Sequence, residues 1–280
     1  MSSRRIRTLA LVVLPVISTA IARRAGAQNV ATQQQLDEIS ARGRALAGYQ
    51  RAAWTASMQL LATNPDPWQV QRYVAYHADS GWVVAFGRLN AERDTFYVSQ
   101  IAIPAAVNGR RVDSTFEFQT FAEPGPDTDF LVRAARAMDV ATMALGVTAR
   151  ASTAAAIPNE KGEWLVYLTP SADAANVWPL GDDVRYRVSS DGRRVLETHR
   201  MHVGMIEANR DGGSGDARLV AKGSGKALRD LPEDSDVFHV LMNRPAVAEV
   251  VVTPRRRYRI DVDGSITLLQ GKETVVGATR

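Results

Sequence analysis

Lys161-Gly162-Glu163-Trp164-Leu165-Val166-Tyr167-Leu168 is a tight turn feeding a run of residues with no wet face. Trp164, Val166 and Leu168 alternate onto one side, and Leu165 and Tyr167 onto the other. A strand apolar on both faces is a central one, covered on each side. Asp79-Ser80-Gly81-Trp82-Val83-Val84-Ala85-Phe86 carries the same pattern earlier in the chain. The Trp164 strand and its echo therefore predict two covered sheets.

Working outward from Trp164, Pro124-Gly125-Pro126 breaks the chain, and Asp127 or Thr128 can cap a helix. Phe130, Leu131, Ala134, Met138, Ala141 and Leu145 form its buried stripe, and Gly146 ends it. A strand near 151–157 precedes the Trp164 strand. After a loop through Pro179 comes a strand with Val184, Tyr186 and Val188 inward and Arg185 and Arg187 outward. The Ser190-Asp191-Gly192 turn leads to a last strand from Arg193 to about Met205.

The first half repeats this order. A long helix is predicted from about Gln33 to Leu61, with Leu36, Ile39, Leu46, Ala53, Trp54, Met58 and Leu61 on one stripe. Asn64-Pro65-Asp66-Pro67 stops it, and Gly43 and Gly48 each weaken its middle by about 1 kcal/mol relative to Ala. Strands follow near 70–77, 82–89 and 95–103. The Asn108-Gly109 turn then leads to a strand with Val112, Phe116 and Phe118 alternating against Asp113, Glu117 and Gln119. Trp82 and Trp164 follow the ends of the two helices by nearly equal distances. The expected fold class is α+β, with helices packed on antiparallel meanders in two tandem α-β-β-β-β units at 28–123 and 124–208. A mainly β region at 209–280 completes the chain, closed by a hairpin through Asp263-Gly264.

A helix followed by Gly-Glu-Trp-Leu-Val and then Asp182-Asp183-Val184-Arg185-Tyr186-Arg187-Val188-Ser189-Ser190-Asp191-Gly192-Arg193-Arg194-Val195-Leu196-Glu197 resembles the PepSY and cystatin-like modules of secreted bacterial proteins. The resemblance covers 128–202, with a fainter echo in 33–121. It implies a binding or inhibitory module and brings no catalytic residue with it.

The N-terminus has the composition of a signal peptide, residues 1–27. Arg4, Arg5 and Arg7 precede an apolar run from Thr8 to Ala22, and Ala25-Gly26-Ala27 is a small-x-small cleavage pattern. The run is shorter than the roughly 20 apolar residues of a permanent membrane helix, although Arg23-Arg24 after it also suits an uncleaved anchor. The full chain has 34 basic and 30 acidic residues, net +4. Five of the arginines lie in the signal, so the mature chain is formally −1 and has no global electrostatic reason to bind nucleic acid. Cysteine is absent, which excludes disulfides and cysteine catalysis and suits a periplasmic or secreted protein.

Chemistry is sparse. Gly223-Ser224-Gly225-Lys226 lacks the remaining residues of a phosphate loop, and no Gly-x-Ser-x-Gly elbow occurs. No catalytic residue and no cofactor is assigned. The metal candidates are His199 and His202 with Glu207. On a strand, residues three apart point to opposite faces, so the histidines share an ion only if a bulge or helix intervenes. Trp82, Trp164, Tyr167 and Met138 can line an apolar pocket between helix and sheet. The leading expectation is an exported, non-enzymatic protein binding a partner protein, a peptide or a small apolar ligand. The alternatives are a periplasmic metal-dependent hydrolase built on His199 and His202, and an envelope scaffold. The protein recovered from a periplasmic fraction is expected to have a mass beginning at Gln28; a mass that retains Met1 would replace export by cleavage with anchoring.

Overall fold

A computed structural model of the protein describes residues 16–107, 110–148, 150–172, 177–206, 217–221, 230–253 and 256–269. Helix α1 (Val16–Leu61) precedes an antiparallel meander of β1 (Arg72–Ala78), β2 (Gly81–Leu89), β3 (Phe96–Val107) and β4 (Arg110–Asp127), which are neighbours in that order. Helix α2 (Phe130–Leu145) leads into β5 (Ser152–Pro158) and β6 (Trp164–Pro170). After the two-residue β7 (Leu180–Gly181), β8 (Val184–Val188) and β9 (Val195–Arg200) complete a second antiparallel sheet of order β5-β6-β8-β9. The short β10 (Met205–Ile206) pairs with β7. In the third sheet β11 (Ala217–Ala221) is parallel to β12 (Ala248–Val252), reached through α3 (Asp234–Met242), and β13 (Arg257–Ile260) and β14 (Ile266–Leu269) follow antiparallel. The chain is α+β, and a helix followed by a meander occurs three times.

The first two sheets meet at their outer strands, β1 and β5. Alternation gives each strand two jobs. Ala75, Val84 and Phe86 pack with α1, while Val74, Ala85 and Val98 pack with α2. In the second sheet Ala155 and Tyr167 lie on the α1 side, and Ala156, Trp164, Val166 and Leu168 on the α2 side. The two helices thus cover opposite faces of one layer made of both sheets. This is why the strands around Trp82 and Trp164 have no wet face.

The helices differ from expectation in instructive ways. Leu36, Ile39, Leu46 and Ala53 of the predicted α1 stripe are buried, but Met58 and Leu61 are more than half exposed, because the last turns bury Ala56 and Leu60 instead and turn Met58 and Leu61 off that face. Tyr49 and Gln50 are buried instead. The two α1 glycines mark close approaches. A Cβ on Gly43 would stand 2.5 Å from Val237 Cβ and 2.7 Å from the Asp234 carbonyl oxygen, and one on Gly48 would stand 2.3 Å from Trp82 Nε1. Gly43 lets α3 lie directly on α1, and Gly48 receives the Trp82 indole. In α2 the expected cap is present: Asp127 Oδ1 accepts the Leu131 and Val132 N–H groups at 2.9 and 3.2 Å.

Pro124-Gly125-Pro126 does not break the chain. The segment continues β4, with Gly125 opposite Val98 and Pro126 opposite Tyr97. An outer strand tolerates proline because only one of its edges needs N–H donors, and a register shift between Val98 and Gln100 absorbs the extra residues. The strand predicted from Arg193 to Met205 runs only from Val195 to Arg200; Met201 N–H still bonds the Asp183 carbonyl at 3.0 Å in the same register, and the chain then turns at Gly204, φ 77°, to pair β10 with β7. The Asn108-Gly109 turn, the Gly212–Gly215 link, the Gly223–Lys226 segment, Glu207 and the last ten residues lie outside the described residues. Among the described residues no helix is long and apolar enough to cross a membrane.

Replacing a mid-helix glycine by alanine ordinarily gains about 1 kcal/mol. Gly43→Ala is expected to reverse that sign and lose about 1–3 kcal/mol through overpacking against α3. Urea unfolding checks this; an unchanged or raised midpoint would show that the α1–α3 contact has slack.

Candidate functional site

The register of the second sheet places Ala155, Tyr167, Arg185 and His199 in one cross-strand row. That row faces the acidic start of α3. Asp234, fully buried, accepts hydrogen bonds from the Tyr167 hydroxyl at 2.9 Å, from the Arg185 guanidinium, and from Arg42 Nε of α1 at 3.0 and 3.1 Å. Glu233 meets His199 Nε2 at 2.8 Å. Burial pulls the Arg185 pKa down, but the Asp234 carboxylate more than reverses this and holds the guanidinium charged. The Tyr167 phenol is raised well above its ordinary value by burial and by the same carboxylate, so it stays a proton donor.

His202 lies beyond the end of β9. Its Nδ1 donates to Asp183 Oδ1 at 2.8 Å, and its Nε2 lies 3.2 Å from Asp236 Oδ1 in an ionic contact outside hydrogen-bond alignment. Burial alone would lower the imidazole pKa. The carboxylates of Asp236 and Asp183 outweigh it and raise the value to about 10. A proton held this firmly is not available for acid–base work at neutral pH. Ser235 Oγ sits 3.4 Å from Nδ1, the nitrogen already given to Asp183, so the arrangement is not that of a hydrolase triad. His239 makes a third such pair, with Nδ1 3.0 Å from Glu249 of β12.

The open space lies elsewhere. Two cavities of about 730 Å³ each run along one side of α1 and share Ala45, Ile157 and Pro158 in their walls. They form one groove from Gln35 to Tyr49, 15 residues of helix spanning about 21 Å at 1.5 Å rise per residue. The end near Tyr49 is apolar, with Trp82, Phe130, Leu131 and Tyr76 around it. At the Gln35 end the walls carry Glu38, Arg42, Glu160, Lys161 and Arg185. Tyr49 closes the floor between the sheets: its hydroxyl takes the backbone N–H groups of Ala75 in β1 and Ala156 in β5 and reaches Met138 Sδ of α2 at 3.7 Å. Tyr73 bonds across the same seam to the Ala154 carbonyl at 3.4 Å, and burial pushes its phenol up to about 12.

Trp82 and Tyr167 of the predicted pocket residues therefore line the groove, whereas Trp164 and Met138 are core side chains on the α2 side of the layer. The structure does not bring the predicted metal set together. His199 turns to Glu233 and His202 to Asp183 and Asp236, and Glu207 lies outside the described residues. Strand β9 ends at Arg200, so Met201, Val203 and Met205 do not form one alternating face, and Val203 is largely exposed. Among the described residues no group of three or more His, Cys, Asp or Glu is arranged to hold a metal ion. Sequence reasoning missed Asp183, Asp234, Asp236, Arg42 and Arg185. The usable signal was that Arg185 shares a face with Tyr167 on a sheet covered on both sides, so it cannot point to solvent; its side chain is 16% exposed. No family model matches the chain, and neither a curated protein nor a solved structure matches it.

The His202 pKa is higher folded than unfolded, so its contribution is fully present below about pH 6.5 and is lost as pH rises toward 10. Stability is expected to fall across pH 6.5–10, and His202→Gln to lower it at pH 7 by about 3–5 kcal/mol, because two buried carboxylates lose their cation. Urea midpoints at pH 6, 8 and 10 check this; a His202→Gln protein with the wild-type pH slope would remove the ion pair from the account.

Proposed function

We propose that the chain is an exported, non-enzymatic binding protein whose ligand occupies the groove along α1. The observation that carries this is the apolar end of the groove, where Trp82, Phe130 and Ile157 remain open beside a core that is otherwise closed. Its volume is that of an ordinary ligand site. The titratable side chains that would supply catalysis support the same reading. His202, Asp183 and Asp236 are buried against one another and none of them lines the groove, whose apolar end carries His77 and Asp127 as its titratable histidine and aspartate. A helix laid on a four-stranded meander also suits the binding-module character implied by the PepSY and cystatin-like resemblance.

The uncharged probe N-phenyl-1-naphthylamine is expected to bind the mature protein saturably and to quench Trp82 emission. Ala45 and Ile157 line both halves of the groove and are only partly buried, Ile157 at the edge of the α1-side core. Ile157→Arg and Ala45→Trp are each expected to weaken the probe about tenfold or more, the scale of a single well-placed anchor, with the thermal midpoint little changed. Absence of saturable binding, or binding indifferent to both substitutions, would end the proposal.

A further inference from the structure

β1 and β5 run in the same direction along the groove floor. Tyr49 spans Ala75 and Ala156, and Tyr73 reaches Ala154, two residues back on each strand. The two strands are outer strands of different sheets. By the alternation of a ladder, positions 73, 75 and 77 of β1 and 154, 156 and 158 of β5 turn their backbone groups toward the gap between them. Tyr49 and Tyr73 occupy the near end. Past them the gap is the apolar cavity itself, walled by Ala75 to His77 on one side and Ala156 to Pro158 on the other.

We propose, resting on the binding reading above, that the occupant is an extended peptide segment of a partner protein, added as a strand between β1 and β5. Its apolar residue would sit against Trp82 and Phe130, and its polar continuation would run along α1 toward Arg42 and Arg185. Three features select a peptide over an aliphatic ligand. Past the tyrosines the β1 wall turns the Ala75 carbonyl and the His77 N–H and carbonyl to the gap and the β5 wall the carbonyls of Ala156 and Pro158, and a strand satisfies these where a hydrocarbon leaves them without partners. The far half carries both signs of charge, Glu38 and Glu160 with Arg42, Lys161 and Arg185, which complements a chain of mixed side chains better than one anionic head group. The groove's length of about 21 Å is that of roughly six extended residues at about 3.3 Å each. Pro158 has no N–H and offers only its carbonyl.

The test pans a phage-displayed library of random linear nonapeptides against the full mature protein, then measures synthetic copies of the enriched sequences. Enriched peptides are expected to displace N-phenyl-1-naphthylamine and to lose about tenfold in affinity with Ile157→Arg. Single backbone N-methylation is expected to weaken them at successive positions of the segment that lies between the strands, since amides of one parity turn to β1 and those of the other to β5. N-methyl tolerance at either parity of that segment, or peptides that bind without displacing the probe, would overturn insertion between the two strands. A probe that binds while no peptide is enriched would also overturn it and would leave the groove as a small-molecule site. If neither probe nor peptide binds, the broader binding proposal falls as well.

Discussion

One carboxylate holds the three parts of this molecule in register. Asp234 stands at the start of α3, and its two oxygens are shared among a guanidinium from α1, a guanidinium from β8 and a hydroxyl from β6. Taking such a charge out of water costs several kcal/mol, and the attraction recovers it only when every lone pair finds a donor. Here they do. The cluster therefore acts less as glue than as a key: α3 fits in one orientation, with Asp234 over the Tyr167–Arg185 row, Glu233 over His199 and Asp236 beside His202. Gly43 is the steric counterpart of that key, because the helices can approach closely enough only where α1 has no side chain.

The groove follows from the same geometry. α1 is tied down at the Asp234 end by Arg42, and at the Tyr49 end by a hydroxyl inserted between the two sheets. Between those ties it passes the turn from β5 to β6 without closing on it. The two sheets share a layer yet do not join into one ladder, and a tyrosine stands where a row of strand hydrogen bonds would be. An opening at a seam of this kind is bounded by backbone on both sides and by aromatic rings from the helices above and below.

Much of the architecture was legible because hydrophobic alternation reports coverage directly. The Trp164 and Trp82 strands read as covered on both faces, and they are; the order of helix and meander followed from turn residues. Long-range partners were not legible. Nothing local to Gly43 or Gly48 distinguishes a helix weakened by glycine from one thinned for a neighbour, and the neighbour of Gly43 lies about 190 residues further on. The acids of Glu233-Asp234-Ser235-Asp236 stand where a helix start favours them, and Asp236 caps α3 by accepting the Glu233 N–H at 2.7 Å. That their other partners are buried cations depends on which sheet lies beneath α3. Of the pocket residues, Trp82 and Tyr167 were separable from Trp164 and Met138 only once the two helices were known to occupy opposite faces.

The long first helix has a consequence for the order in which the molecule can be completed. Ser40 Oγ donates to the Gly264 carbonyl at 2.6 Å across 224 residues, and Arg44 Nε bonds the neighbouring Asp263 carbonyl at 2.8 Å. During synthesis α1 leaves the ribosome first, and the hairpin that closes over it leaves last. Until then its apolar stripe has no complete partner, and closing such distant contacts makes the final step slow. The nascent chain therefore carries that part of α1 uncovered until the β13–β14 hairpin has emerged, and the fold locks only then.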